Sequence, residues 1–299
     1  MSYLIRQMGH VVLSAPDPEA AAQHLCDISG VRVTGRDGDT VYLSSNARHH
    51  EVTYVKGAGE TVAIGLEAIN DAAVDEVMAR AKSDGLTILD DTPMGPGYDR
   101  AVRLRSPGGA TYEIHSPITR DRSKWYIGGG GPRPRRLEHV NYLTPNLEAE
   151  VNMVEQVFGM KATDRLSDYG GFWLRAEDGF HHTIALVGEP ELRMHHYAFD
   201  HHSLYDLQRI ADNLAQRDSA LIFGPGRHGN GENVFTYYLD PIGCVVENST
   251  EMLHVGNDAL HKTGVWDNSQ GLAARWANLW GTPVPEVFVT AGIPFATTE

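Results

Sequence analysis

The sequence predicts an α+β fold built from two tandem copies of one module. The main observation is an internal repeat, in which five short segments recur in the same order about 130 residues apart. Short runs of β-branched and aromatic residues, such as Val11–Leu13 and Thr236–Leu239, predict strands. Helix-like stretches follow turn signals between these runs. Each copy should therefore contain a strand, a helix, several strands, a second helix and final strands.

The paired segments support the repeat one element at a time. In chain order they are 8–13 with 137–142, 15–18 with 144–146, 48–52 with 180–184, 65–69 with 195–199, and 106–113 with 240–247. In the first copy, Asp17 is a predicted N-cap and Pro18 occupies the first helical position. This helix should end at Gly30, and its counterpart at Gly159. Second helices are predicted over 71–83 and 203–216.

The repeat also suggests the domain boundaries. We expect an N-terminal module over 1–120, a linker over 121–136, a C-terminal module over 137–255 and a tail over 256–299. The linker contains a glycine run followed by basic residues. Because it has no Lys-Ser/Thr pair, a flexible crossing is favoured over a phosphate-binding loop. The tail is rich in Trp and Pro and too apolar to be disordered, so it should pack on one module.

Composition and charge exclude several classes of partner. Hydrophobic residues make up 41% of the chain, enough for a core, while the formal charge of -14 argues against binding a nucleic-acid backbone. No apolar run approaches the length of a membrane helix, and we expect no signal peptide. The two cysteines, Cys26 and Cys244, cannot form a disulfide framework. We therefore expect a cytoplasmic protein.

The second copy carries a candidate metal site. It places two histidines and a glutamate at equivalent strand positions, namely His139, His196 and Glu247. Two imidazoles and one carboxylate suit a divalent iron that keeps other positions open. Glu247 ends an apolar run, where an inward carboxylate is costly unless it is paired or bound to metal. The first copy has His10 and Glu113 at matching places but Leu66 in place of His196, so we expect metal in the second module only.

His195 is the main alternative to His196 as a ligand. Successive strand residues face opposite sides, so only one of the two can serve. We select His196 because it aligns with the apolar, inward Leu66. Eight other histidines are interpreted as structural residues or as remnants of a lost site: His10, His49, His50, His115, His201, His202, His254 and His261.

Residues 226–247 contain a longer motif. His228 precedes Tyr237 by about nine residues, and an Asp240-Pro241-Ile242-Gly243 turn then leads to Glu247. This pattern resembles the signature of the extradiol (type I) catechol dioxygenases of the vicinal oxygen chelate superfamily. Thr236 departs from it, since the family usually has an apolar residue there. The resemblance covers roughly residues 5–255 and implies two tandem modules of paired βαβββ repeats, each curling into an open barrel.

The resemblance also implies roles for individual residues. It makes His139, His196 and Glu247 the ligands of Fe(II), with Mn(II) also acceptable to this set. His182 matches a histidine that handles protons and stabilises bound oxygen. His228 and Tyr237 match the pair that binds the substrate's ring oxygens. Asn141 resembles a residue near the oxygen site, and Asn230 is a weaker candidate for the pocket wall.

The implied function is ring cleavage beside the vicinal hydroxyls of a catechol, using both atoms of O2, in aromatic catabolism by a homo-oligomer. A glyoxalase-type lyase or isomerase is one alternative, although Leu66 breaks the four-ligand pattern of such enzymes. A non-catalytic ligand-binding module is another, although it would not need His182, His228 and Tyr237. One-ring and two-ring catechols both stay open. Expected pocket residues are Met153, Tyr169, Phe172, Trp173 and parts of the tail.

Overall fold

The computed structural model describes residues 2–122 and 131–297. The middle of the predicted linker, including most of its glycine run, lies outside these residues. On its C-terminal side, the first strand of the second module begins at Pro134, three residues before the predicted module boundary at 137.

The first module contains eight strands and two helices within the described residues. They are β1 Ile5–Ala15, α1 Pro18–Ser29, β2 Arg32–Asp37, β3 Thr40–Ser44, β4 Val52–Lys56, β5 Thr61–Ala68, α2 Asp71–Ser83, β6 Thr87–Asp90, β7 Ala101–Arg105 and β8 Thr111–His115.

The second module repeats this order and is followed by the tail. Its elements are β9 Pro134–Thr144, α3 Leu147–Gln156, β10 Lys161–Leu166, β11 Gly171–Arg175, β12 Ile184–Gly188, β13 Arg193–His201, α4 Leu204–Ala215, β14 Phe223–Arg227, β15 Val234–Leu239 and β16 Val245–Thr250. The tail contributes β17 Gly264–Trp266, a 3-10 turn Gly271–Ala273, α5 Glu286–Thr290 and β18 Ile293–Pro294.

Each module is a pair of βαβββ units, as predicted. The first sheet has the order β2-β3-β4-β1-β5-β8-β7-β6, and the second runs β14-β15-β16-β13-β9-β12-β11-β10-β17. In both sheets the first strands of the two units pair antiparallel at the centre, β1 with β5 and β9 with β13. Each strand order is an open path, and the two central strands and their parallel neighbours form the middle of the sheet.

The helix signals in the sequence match the ends of α1 and α2, whereas α3 ends at Gln156, three residues before the predicted Gly159. The Asp17 side chain accepts a hydrogen bond of 3.0 Å from the backbone N–H of Ala20, and Pro18 begins α1. Gly30 ends this helix with a φ of 78°, a left-handed conformation that glycine adopts without strain. The helix predicted over 71–83 is found with those bounds. No helix in the described ranges is long and apolar enough to cross a membrane.

The tail adds strands to the second sheet. β17 pairs in parallel with β10, and β18 pairs antiparallel with the start of β13. Phe295 also forms a bridge with Thr61 of the first module. The tail therefore contacts both modules, and its middle part contacts β13 through Phe288 and His195 and β14 through Trp280 and Arg227.

A buried ion pair joins the two modules. Glu51 precedes β4, and its Oε1 accepts a hydrogen bond of 3.0 Å from the backbone N–H of Leu137 on β9. The same carboxylate pairs with the buried guanidinium of Arg48, which donates to the carbonyl of Met8 on β1 at 2.8 Å. Burial raises the pKa of Glu51, but the attraction of Arg48 and hydrogen bonds from Ser45 outweigh this and lower it. The first strands of both modules are thus tied to one carboxylate.

Replacing this carboxylate should destabilise the protein strongly. Glu51→Ala leaves the Arg48 charge buried without its partner, which typically costs about 3–5 kcal/mol. We expect a much lower unfolding midpoint in urea. The matched control is Glu19→Ala, which removes an exposed ion pair with Arg36 and should change the midpoint little. Equal midpoints for the two variants would show that the Glu51 pair does not tie the modules together.

Candidate metal centre and substrate pocket

Three neighbouring strands bring His139, His196 and Glu247 together. Nε2 of His139 lies 3.0 Å from Oε2 of Glu247, and Nε2 of His196 lies 3.2 Å from the same oxygen. The two Nε2 atoms are 3.3 Å apart. Among residues 2–122 and 131–297, this is the one group of three such residues whose ligand atoms all lie within 4.8 Å of one another. The structure therefore assembles the three residues predicted as metal ligands.

The three side chains are almost fully buried, so their charges depend on one another. Burial raises the pKa of Glu247, but the attraction of His139 and His196 outweighs this and holds it well below its ordinary value. Burial lowers the pKa of His139, yet Glu247 and Glu138 raise it to about 9. Burial lowers the pKa of His196. The metal-free site therefore holds an anionic Glu247, a cationic His139 and a neutral His196 near neutral pH.

Further contacts orient these side chains. Nδ1 of His139 lies 3.2 Å from a carboxylate oxygen of Glu138, which also accepts a hydrogen bond of 2.6 Å from the Ser249 hydroxyl. The Asn233 amide donates to Oε1 of Glu247 at 3.0 Å. A carboxylate at Nδ1 keeps a proton on that nitrogen and leaves Nε2 available to a metal. Two imidazole nitrogens and one carboxylate oxygen form a donor set that fits a divalent iron or manganese ion.

Asn233 was not among the predicted site residues. It lies between His228 and Tyr237 in the sequence motif, and this position could have indicated that it belongs to the site. Glu138 and Ser249 were also missed, although each is adjacent or close in sequence to a predicted ligand. Asn233 and Glu138 each form a hydrogen bond with a proposed ligand, and Ser249 donates to Glu138.

The strand pairings correct the alignment of the two modules. Two equivalent rows run across the central strands, His10–Gly65–Glu113 in the first module and His139–Ala198–Glu247 in the second. Two residues further along the first strand, Val12 pairs with Ala63, and Asn141 pairs with His196. His196 therefore corresponds to Ala63, and the expectation that Leu66 takes its place is wrong.

A β-bulge also changes the expected position of His195. The pairing of β13 with β9 is irregular between Met194 and His196, so His195 is the extra residue of a bulge. Its ring does not point away from that of His196 as regular strand alternation would require. Instead, the two Nδ1 atoms are 2.7 Å apart. His196 is the member of the pair that faces His139 and Glu247, as predicted. The alignment with Leu66, on which that choice was based, is wrong.

The corresponding place in the first module is filled by protein hydrogen bonds. Nε2 of His10 lies 3.0 Å from Glu113, whose other contacts come from the Tyr98 hydroxyl and the Met94 backbone N–H, both at 2.7 Å. Ala63 offers no ligand atom there. The Glu113 carboxylate is thus satisfied by its own module, consistent with the expectation that a complete ligand set belongs to the second module.

The predicted catalytic side chains line one cavity of about 380 Å³ beside the three candidate ligands. The ring of His182 lies 4.2 Å from that of His139, measured between centroids. Nε2 of His228 lies 2.8 Å from the Tyr237 hydroxyl. Asn141 and Asn230 also line this cavity. Every residue predicted as a ligand or as a catalytic group therefore lines the same cavity.

The hydrogen bonds of His228 define its protonation. Nδ1 lies 2.5 Å from the carbonyl oxygen of Ala277 in the tail, which can only accept a proton. Burial lowers the pKa of His228 to about 4, so the ring is neutral and its Nε2 accepts from the Tyr237 hydroxyl. Burial, and then the Glu247 carboxylate, raise the pKa of Tyr237 well above its ordinary value. Tyr237 is therefore a neutral phenol whose proton is donated to His228.

The cavity walls away from the histidines are mainly apolar. They are formed by Leu143, Leu166, Trp173, Val187, Leu272, Trp276, Val284, Phe288 and Val289, with Asp168, Glu189 and Arg193 as charged members. Trp173 was expected here, and the tail contributes as expected. Met153, Tyr169 and Phe172 were wrongly expected. Met153 lies on the buried face of α3, and Tyr169 lies in the turn between β10 and β11 with 60% of its surface exposed.

Comparison with known proteins gives a consistent family. The model of the family described as "Glyoxalase/Bleomycin resistance protein/Dioxygenase superfamily" matches residues 7–114 and 136–247. The chain is 27% identical over 263 residues to a manganese-dependent 2,3-dihydroxybiphenyl 1,2-dioxygenase of Geobacillus genomosp. 3, covering 81% of this chain and 83% of that one. It is 24% identical to metapyrocatechase 2 of Cupriavidus necator, covering 96% and 92%.

Solved structures share the fold. A homoprotocatechuate 2,3-dioxygenase from Arthrobacter globiformis superposes with a TM-score of 0.88 and 25% identity, over 99% of this chain and 94% of that one. The E323L mutant of the Brevibacterium fuscum enzyme gives a TM-score of 0.89 with 23% identity, over 99% and 84%. The superposition covers the tail as well as both modules.

Metal binding should release a proton near neutral pH. His139, with its pKa raised to about 9, is protonated in the metal-free protein and must become neutral to bind an ion. We expect about one proton released per Mn²⁺ bound at pH 7, and an affinity that rises about tenfold per pH unit until pH approaches 9. Calorimetric titration in buffers of different ionisation enthalpy measures this number.

The matched variant for this measurement is Glu138→Gln. Removing the neighbouring carboxylate lowers the pKa of His139, so fewer protons should be released at pH 8 than in the unchanged protein. A proton count of zero at pH 7 in the unchanged protein would contradict the charge state assigned to His139.

Proposed function

This chain belongs to the Glyoxalase/Bleomycin resistance protein/Dioxygenase superfamily, and we propose that it is an extradiol dioxygenase. The reaction would open the ring of a catecholic substrate next to its vicinal hydroxyls and incorporate both atoms of O2, in the catabolism of aromatic compounds. The observation that carries the proposal is a cavity that a His-His-Glu set lines together with His182 and the His228–Tyr237 pair.

His139, His196 and Glu247 are the proposed metal ligands. We propose Fe(II) as the ion, with Mn(II) as the other ion that this donor set accepts; the relative named as manganese-dependent supports keeping both. A divalent ion held there supplies the Lewis acidity that lets a catechol hydroxyl ionise near neutral pH and the electronic link between an electron-rich ring and O2.

His228 and Tyr237 are proposed to orient the substrate hydroxyls. Tyr237 keeps its one proton and donates it to Nε2 of His228, so its oxygen is left to accept a hydrogen bond from a protonated substrate hydroxyl. An acceptor that is fixed before the substrate arrives orients that hydroxyl for the reaction. The neutral His228 donates a hydrogen bond from Nδ1 to the Ala277 carbonyl, and this bond holds the ring in one orientation.

His182 is proposed to accept and return a proton. Burial, followed by the positive charge of His139, lowers the pKa of His182 well below its ordinary value, so it is neutral and can act as a base. Its Nδ1 lies 2.9 Å from Nδ1 of His181, and Nε2 of His181 lies 3.1 Å from the Asp164 carboxylate. These neighbours hold the ring in place beside that of His139. Asn141, on the adjacent strand position to His196, would complete the wall near the oxygen site.

The apolar walls favour catechols with an apolar substituent. Trp173, Trp276 and Phe288 provide aromatic surface in a cavity of about 380 Å³, which exceeds the space that one ring requires. The relative named for 2,3-dihydroxybiphenyl agrees with this preference. A glyoxalase-type reaction is less favoured, because Ala63 leaves the first module without a third ligand and Glu113 is held by Tyr98.

The remaining expectations stay predictions. Assembly into a homo-oligomer comes from the resemblance alone. The absence of a nucleic-acid partner follows from the formal charge of -14, and the cytoplasmic location from composition. The candidate partners are thus a small catecholic substrate and O2.

The metal-loaded protein should form a yellow, ring-opened product from catechols in air. We expect turnover with Fe(II), a lower KM for aryl- or alkyl-substituted catechols than for carboxylated ones, and loss of colour in Glu247→Gln. The matched control is Glu113→Gln, the equivalent residue of the first module, which should retain activity. No colour from iron- or manganese-loaded protein across this panel would refute the dioxygenase proposal.

Replacing His182 should separate metal binding from turnover. His182→Phe removes a proton acceptor but no proposed ligand, so metal affinity should be unchanged while turnover falls by about 10²–10⁴-fold. His50 occupies the equivalent position before β4 of the first module, so His50→Phe is the matched control and should keep turnover. Loss of metal from His182→Phe would contradict the role given to His182.

A further inference from the structure

A chain of hydrogen bonds connects the tail to the candidate ligand His196. In α5, the backbone carbonyl of Phe288 lies 2.7 Å from Nε2 of His195. Nδ1 of His195 lies 2.7 Å from Nδ1 of His196, and Nε2 of His196 faces Glu247 and His139. The rings of His195 and His196 are nearly perpendicular, at 77°. Both imidazoles are almost completely buried, so these bonds are not replaced by water.

The direction of each hydrogen bond follows from the groups involved. A carbonyl oxygen only accepts, so Nε2 of His195 must carry a proton. A neutral imidazole has one N–H, so Nδ1 of His195 must accept. Its donor is Nδ1 of His196, which leaves a lone pair on Nε2 of His196. A metal ligand needs an unprotonated Nε2, and here the Phe288 carbonyl sets that state through the two hydrogen bonds of His195.

We propose that His195 is a positioning residue that transmits the orientation of the Phe288 carbonyl to His196 and so presets His196 as a metal ligand. The proposal rests on the proposed function only in taking His196 as a ligand. In most metal sites the second nitrogen of a ligand histidine donates to a carboxylate, a carbonyl or water. Here a second imidazole fills that place and makes ligand geometry depend on a segment outside the repeat.

A bulge makes this arrangement possible. Because His195 is the extra residue between Met194 and His196, its ring can turn towards its neighbour and towards α5. The Phe288 ring also packs on the His195 ring, with centroids 4.5 Å apart, and on Tyr237 at 4.7 Å. The Phe288 ring thus packs on His195, the same residue to which its carbonyl is hydrogen-bonded. The Ala277 carbonyl acts similarly on His228, so two tail carbonyls define protons at the cavity.

The test compares three variants of β13 by two measurements that do not depend on activity. His195→Leu removes both hydrogen bonds, whereas the amide of His195→Gln can donate to Phe288 and accept from His196. His201→Leu is the matched control, since His201 is another buried histidine of β13, bonded to Asn248 rather than to the site. Mn²⁺ affinity is measured by anaerobic calorimetry. The tautomer of His196 in the metal-free protein is read from ¹⁵N shifts of labelled histidine.

We expect His195→Leu to lower Mn²⁺ affinity by about 10–100-fold, with His195→Gln and His201→Leu close to the unchanged protein. His196 should be protonated on Nδ1 in the unchanged protein and in the Gln variant. A proton on Nε2 of His196 in the unchanged protein would overturn the proposal, even if His195→Leu does not fold. Unchanged affinity in His195→Leu would overturn it as well. Failure of the unchanged protein to bind Mn²⁺ or Fe²⁺ would instead count against the proposed function.

Discussion

The arrangement of the second module depends on one buried carboxylate, that of Glu247. A carboxylate with 1% exposure is costly unless charges or hydrogen bonds compensate for its lost hydration. His139, His196 and Asn233 supply that compensation, and they come from β9, β13 and the loop before β15. The compensation exists only when the central strands of the two βαβββ units are in register. The charge balance of the site and the pairing of the two units are therefore one constraint, because neither is satisfied without the other.

The first module shows a second solution to the same constraint. Glu113 occupies the position of Glu247 in an equivalent row of strands, and His10 corresponds to His139. Here the Tyr98 hydroxyl and a backbone N–H satisfy the carboxylate, and Ala63 replaces the second imidazole. The carboxylate oxygens are then occupied by donors that a metal would have to displace. One scaffold thus gives a closed polar core in one copy and a ligand set facing a cavity in the other, and the difference lies in side chains rather than in topology.

The sequence predicted the parts of this structure that follow from local chemistry. Asp17, Pro18 and Gly30 mark the ends of α1 because capping and left-handed backbone need those residue types. The ligand set could be predicted because a repeat supplies an internal comparison. The match of Leu66 to His196 failed because segments 65–69 and 195–199 are too dissimilar to fix their alignment, and the strand pairings place the equivalent residue three positions earlier, at Ala63. The role of Phe288 could not be predicted at all, since its carbonyl is the contact and every residue has one.

The tail thereby joins two properties that the repeat alone would keep separate. Phe288 contributes its ring to the apolar cavity wall and its carbonyl to the hydrogen bonds of His195. A change that moves α5 to fit a larger or smaller substrate substituent also moves the acceptor that holds His195. Cavity size and the orientation of His196 are therefore coupled through one short helix. Because the Ala277 carbonyl does the same for His228, the repeat provides the ligands while tail carbonyls determine which nitrogens of His196 and His228 carry protons. A site of this kind is complete only when α5 and β18 have docked on β13.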